Sequence, residues 1–179
     1  MHKIASPSIL YFGTPVVLIS TLNEDNSFNL APMSSIFWLG WRCVIGLGSG
    51  SKTAQNLLHS NECVLNMPSV FDVAAVDRLA LTTGANPVPP VKKARGYRFE
   101  PNKFRLPGLT PEASERVDPP RVREFPVQME ARLAAIHPLA VDDPVTSGRL
   151  ISFELEILRV HLEESIQMDG HPDRVDPDK

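Results

Sequence analysis

Most apolar positions in this chain fall into short, β-branched runs separated by polar clusters, the pattern of strands joined by turns. Residues 15–22 form one such run, apolar enough to be buried on both faces of a sheet. The polar cluster 23–27 follows, with Asn26 suited to positive φ, and residues 28–31 resume an extended pattern. This spacing predicts a β-hairpin. Pro32 has no N–H to donate to a sheet ladder, so the second strand must bulge or lie at an edge there. Residues 42–47 read as a third strand and 62–67 as a fourth, stopped by Pro68. Residues 125–136 alternate, with Val127, Met129, Ala131 and Leu133 on one face and Gln128, Glu130 and Arg132 on the other. After a turn over 138–148, residues 149–166 make a last, long β-rich run.

Two stretches read as helical. Residues 53–59 give a turn or two, and residues 70–81 place Val73, Val76 and Leu79 or Ala80 on one face. Ser69 and Asp72 introduce the second as a capping box with Asp in place of Glu. Six strands and two short helices predict a mainly β fold, a small barrel with helical decoration, as one domain over 1–179.

Residues 83–123 break the pattern. Eight prolines lie between Pro87 and Pro120, with glycines at 84, 96 and 108. Connections of this length inside a compact domain are functional or disordered. Tyr97, Phe99, Phe104 and Leu109 can pin this one down, so an ordered excursion across the body or a partner subunit is expected. From Lys92 to Arg123 nine Lys/Arg outnumber four Asp/Glu, and from Glu154 onward eight acids outnumber three bases. The two regions either meet or stay solvated. A polar tail is expected from about 169.

A net charge of −3 argues against a general nucleic-acid binder, and no apolar run reaches the ~20 residues of a membrane span. With no signal-peptide pattern at the N-terminus, a cytoplasmic location is expected. Cys43 and Cys63 sit in apolar strand-like runs without a C-x-x-C pairing, which reads as two buried free thiols. No metal site is expected.

Candidate chemistry concentrates in residues 29–56. There Gly48-Ser49-Gly50-Ser51-Lys52-Thr53 ends a strand and opens a helix. Two glycines for close approach, three hydroxyls, an ammonium and the free N–H groups of a helix start suit a phosphate monoester. The alternative is an ordinary Ser51 N-cap beside a solvated Lys52. The loop is not a Walker loop, because Lys52 follows Ser51 rather than a glycine, and no G-x-G-x-x-G is present. Trp38 and Trp41 read as packing residues, His59 as exposed, His137 as a turn residue and His161 as a strand residue without an assigned role.

The runs P-V-V-L-I-S-T-L-N-E-D-N-S-F-N-L-A-P-M-S-S, S-G-S-K-T-A-Q-N-L and E-C-V-L-N-M-P resemble the flavin reductase-like family of FMN-binding split barrels. K-F-R-L-P-G-L-T-P-E-A-S and F-P-V-Q-M-E-A-R-L look like the second half of the same family, so the resemblance covers about 11–168. It implies a six-stranded Greek-key split barrel, a homodimer and FMN near the subunit interface, with FAD as the other candidate flavin. By similarity Asn29, Ala31, Pro32, Ser34 and Ser35 would contact the ring, ribityl chain or phosphate, and Ser49, Ser51, Lys52 and Thr53 would hold the phosphate. The Pro32 bulge would then open backbone groups to the flavin ring. The implied reaction is hydride transfer from NADH or NADPH to flavin, toward a small-molecule substrate or electron acceptor. Where such reductases often carry a G-D-H-like motif, this chain has Ser147-Gly148-Arg149-Leu150. No catalytic acid or base is therefore assigned, and a non-catalytic FMN-binding or electron-transfer protein is the alternative. A third reading, a flavin-free module, would use the basic excursion for an acidic partner. Members similar to this chain often continue past R-V-D-P with an aromatic segment, so a longer natural chain is expected.

Overall fold

The computed structural model describes residues 2–7, 10 and 12–179. Strands β1 (Val17–Leu22) and β2 (Phe28–Met33) form the first hairpin, turned at Asn26 with φ 61°. After Ser34 and Ser35 come β3 (Ile36–Leu39) and β4 (Arg42–Gly48), then α1 (Lys52–Ser60) and β5 (Glu62–Met67). A 3-10 turn leads into α2 (Val73–Leu79). The excursion follows, with β6 (Thr82–Thr83), α3 (Pro90–Ala94), β7 (Arg98–Phe99), β8 (Pro111–Glu112) and β9 (Arg121–Val122). The long strands β10 (Val127–Pro138) and β11 (Leu150–Leu162) precede a small hairpin of β12 (Gln167–Met168) and β13 (His171–Val175).

Seven strands make one sheet in the order β2-β1-β5-β10-β11-β4-β3, and every pairing in it is antiparallel. Its edges, β2 and β3, are joined by only Ser34 and Ser35. Six inter-strand steps would put the edges of a flat sheet roughly 29 Å apart, while the three Cα steps from Met33 to Ile36 reach about 11 Å at most. The sheet must therefore roll until its edges meet at that joint. The fold is mainly β, as expected. The seventh strand, β3, is the one that residue pattern misses, because its Phe37 and Leu39 are exposed.

The rolled sheet has an apolar core on each face. Inside lie Val17, Ile19, Ile45, Leu65, Phe153 and Leu155, with Ala54 and Leu57 of α1 packed among them. Outside, Leu18 and Leu30 pack under Leu79, Phe104, Leu109, Val122 and Phe125. The excursion is thus ordered and lies over the outer face of β1, β2 and β10. Phe104 and Leu109 pin it as expected, whereas Phe99 stays 38% exposed.

Backbone groups of this irregular segment need partners. Side chains that look solvent-facing in a strand supply them. Asn66 Oδ1 accepts from the Val122 N–H at 2.8 Å, and Gln128 Nε2 donates to the carbonyls of Val122 and Phe125. The buried Glu130 carboxylate accepts from the N–H groups of Glu115 and Arg116 and pairs with His161 Nε2 at 2.6 Å. Burial raises the Glu130 pKa, but these donors and the imidazole more than offset it and hold the carboxyl below its usual range.

The structure refines four expectations. Of the two alternatives at Pro32, the edge holds: it pairs in unbroken register with Leu18 in edge strand β2, so the bulge that the resemblance was to explain is absent. The helix expected over 70–81 is a 3-10 turn, Val70–Asp72, and the shorter α2; Val73 is exposed and only Leu79 of α2 is buried. The Ser69/Asp72 capping box is present, with the Ser69 N–H donating to Asp72 Oδ2 at 2.8 Å. Arg121 and Arg123 pair with Glu112 inside the basic excursion, and among the described residues Arg159–Glu115 is the one ion pair between that excursion and the chain from Glu154 onward. The tail folds back as β12–β13, although β13 is exposed throughout.

Candidate functional site

Strand β2 presents Asn29 and Ala31 toward the inner face, since their partners Thr21 and Ile19 share it. Helix α1 is positioned against that end of the sheet by Ala54 and Leu57. Its N-cap is Ser51, whose Oγ accepts from the Ala54 N–H at 3.2 Å, and no acidic residue occupies its first turn. Strand and helix are stitched by amides. Asn29 Nδ2 donates to Thr21 Oγ1 at 3.2 Å and to Thr53 Oγ1 at 3.3 Å, and Asn56 Nδ2 donates to Thr21 Oγ1 at 2.9 Å. All four side chains are buried.

The first helical residue, Lys52, lies on a cleft of about 690 Å³ together with Asn29, Gly50, Gly84 and Lys103. Gly84 crosses directly over the amide cluster. A Cβ there would stand 2.6 Å from Asn29 Oδ1 and 3.2 Å from Lys52 Cγ, so only glycine fits this approach. A cis peptide joins Asn86 to Pro87 on the same wall. Glu24, Asp25 and Glu100 line other parts of the cleft. The Ser27 hydroxyl chiefly holds the Asp25 carboxyl below its usual range, the Ser27 N–H assisting.

Lys103 is the residue that sequence reading missed. Its side chain is only 2% exposed, and its ammonium donates to Thr82 Oγ1. Lys92 donates to the neighbouring Thr83 Oγ1 at 3.3 Å and lies 5.7 Å from the Tyr97 ring centre. No ion pair among the described residues involves Lys52, Lys92 or Lys103. Burial pushes the Lys103 pKa down to about 8, with the like charges of Lys92 and Arg98 assisting and Glu100 opposing. The signal was present in K-F-R-L-P-G-L-T: Phe104 anchors in the outer core and carries its neighbour Lys103 down with it.

Of the nine candidate residues, the structure gathers Asn29, Lys52 and Thr53. Ser51 is engaged as the N-cap, and Ser49 Oγ donates to the Gly148 carbonyl at 2.8 Å, tying the loop to the turn before β11. Ala31, Pro32, Ser34 and Ser35 continue along β2 and the edge joint and do not line this cleft; Ser35 O accepts from the Gly46 N–H at 2.8 Å. His161 is held by Glu130, and His59 is exposed. The two thiols are buried, and burial pushes Cys43 up to about 12 and raises Cys63 as well. No helix among the described residues is long and apolar enough to cross a membrane.

Comparison with known proteins agrees with this architecture. The model of the flavin reductase like domain matches residues 9–171. The Bacillus subtilis (strain 168) protein YdfE is 36% identical over 177 residues, 99% of this chain and 82% of YdfE. Among solved structures, flavoredoxin of Desulfovibrio vulgaris (Miyazaki F) superposes with a TM-score of 0.74 at 24% identity, covering 96% of this chain and 81% of that one. A structure from Shewanella frigidimarina NCIMB 400, described as having a split barrel domain, gives 0.69 at 19% identity, covering 91% and 73%. Rolled sheet, helix-start loop and family match lead to one conclusion: the chain belongs to the flavin reductase-like family, on a split-barrel fold.

Proposed function

We propose that the protein is an FMN-dependent oxidoreductase that uses NADH or NADPH as hydride donor. The observation that carries this reading is Lys52 at the head of α1, in no salt bridge among the described residues and opening on a cleft beside Asn29 and Gly84. The donor set fits a phosphate monoester: one ammonium and helix N–H groups with no acidic side chain in the first turn. Flavin, when bound, supplies the redox chemistry, accepting hydride from reduced nicotinamide and passing electrons on. The chain's own residues bind and orient. Lys52 neutralises the phosphate, Asn29 and Thr53 fix the strand against the helix, and Gly84 lets the backbone of the excursion come close.

A second reading, an electron-transfer flavoprotein on the same fold, draws support from His161, which is committed to Glu130 at 2.6 Å. In either case we propose a homodimer. Leu39, Trp41 and Phe37 are 80%, 64% and 58% exposed on and beside edge strand β3, an apolar surface suited to a second copy.

An absorbance spectrum of the purified protein with added FMN, followed by NADH or NADPH, tests the proposal. Flavin bands that bleach on adding nicotinamide are expected for the reductase. Bands that persist select the electron-transfer reading, and a protein that takes up no FMN contradicts both.

A further inference from the structure

A second cleft, of about 580 Å³, opens beside the one at Lys52 and shares with it the wall formed by Ser27, Phe28, Pro101, Asn102 and Lys103. Lys52 and the start of α1 take no part in it. Its walls are mostly apolar, from Phe28, Phe104, Leu109 and Pro111. Phe28 is 40% exposed and stands edge-on to the buried Phe104, with ring centres 5.9 Å apart and planes at 69°. One ring is therefore a support, and the other keeps a surface open to a ligand.

The charged side chains on this cleft are both cations, Lys103 and Arg105. Neither is in a salt bridge among the described residues. Lys103 is buried, and its ammonium donates to the Thr82 hydroxyl. The nearby Glu100 carboxylate turns instead to the Asn102 N–H, at 2.8 Å. A buried ammonium without a counter-ion is costly, and an anion brought into the cleft offsets that cost.

The backbone narrows the kind of anion. The Gly108 N–H donates to the Arg105 carbonyl at 3.1 Å and the Leu109 N–H to the Phe104 carbonyl at 2.9 Å. Both are spent within the turn and do not cradle a phosphate. The Arg105 guanidinium remains, and its planar fork matches a carboxylate. Apolar walls with a few placed polar groups are what small-molecule sites present.

We propose that the second cleft binds a small aromatic carboxylate, its ring against Phe28 and its anionic end toward Lys103 and Arg105. The inference goes beyond the proposed oxidoreductase and does not depend on it, because the helix start lies outside this cleft.

Isothermal titration of the purified protein with cinnamate provides the test, with cinnamamide, cyclohexanepropionate and inorganic phosphate as comparisons. Cinnamate is expected to bind at least tenfold tighter than any of the other three, because it alone carries both the flat ring and the carboxylate. Arg105→Gln and Phe28→Ala should each weaken cinnamate at least fivefold. Arg105 is exposed, so its variant keeps the test open should Phe28→Ala disturb packing on Phe104. Lys52→Ala should leave cinnamate unchanged, and Arg105→Gln should leave FMN unchanged. No binding of cinnamate, equal binding of cinnamamide or phosphate, or an affinity that neither variant lowers would overturn the site. A loss in Lys52→Ala as large as in Arg105→Gln would also overturn it, by placing cinnamate in the first cleft. Failure to take up FMN, with the cinnamate results intact, would overturn the flavin reading alone.

Discussion

Asn29 and Thr53 share a 3.3 Å hydrogen bond that fixes the second strand to the first turn of α1. Lys52 is the residue before Thr53, so the position of its ammonium over the cleft depends on this contact. The helix start and the strand therefore act as one binding element. The pair Lys52→Ala/Thr53→Ala should weaken FMN at least tenfold while changing riboflavin less than threefold, because only FMN has the phosphate. Isothermal titration of both ligands checks it, and an equal loss for the two would sink the phosphate assignment.

Gly84→Ala addresses the same element from the other side. The added methyl would stand 2.6 Å from Asn29 Oδ1, and a buried amide network cannot yield as a surface side chain does. We expect a loss of about 1–3 kcal/mol of stability and at least tenfold weaker FMN binding. Melting without flavin and titration with it separate the two effects. Wild-type values for both would show that the excursion is free to shift at residue 84.

Lys103 makes stability depend on alkaline pH. Its folded pKa is about 8 against a free value of 10.5, so between these the unfolded chain binds more protons and stability rises with pH. Below about pH 8 the penalty is present in full. Lys92 and Arg98 deepen it, Glu100 relieves it, and Lys52 faces the same cleft. Lys103→Met should raise stability at pH 7 by about 2 kcal/mol, after allowance for solvent screening, and flatten the rise between pH 8 and 10. Urea unfolding of both proteins at pH 7, 8.5 and 10 checks the sign. A less stable variant with the same pH profile would make Lys103 a packing residue only.

The apolar edge surface predicts an association state. Leu39→Glu with Trp41→Glu places two charges on strongly exposed positions, so the fold should tolerate them. Sedimentation velocity should show a dimer for the parent chain and a monomer for the variant. A parent that is already monomeric at micromolar concentration would remove the dimer from the proposal.

Strands with one apolar face were legible because their alternation is local: 127–133 reads correctly from its own residues. The fate of the opposite face was not. Gln128 and Glu130 look solvent-facing beside Arg132, yet both are buried, because their partners come from residues 115–125 of a proline-rich segment without periodicity. Edge strand β3 was missed since an edge with exposed apolar residues has neither a buried run nor a polar face. At the site, the helix-start loop was legible from its glycines, hydroxyls and lysine. Gly84 and Lys103 were not, because each acts through contact with an element tens of residues away.

The strand order has a consequence for how the chain emerges during synthesis. Among the described residues, β4 pairs only with β3 and β11, and β10 only with β5 and β11. Until residues 150–162 leave the ribosome, β4 and β10 each present an open edge, and the β3–β4 ribbon hangs from the rest by its two-residue joint and by α1. Closure is vectorial and late: β11 is the keystone, and a nascent chain arrested before Leu150 exposes two unpaired edges able to recruit strands from other molecules.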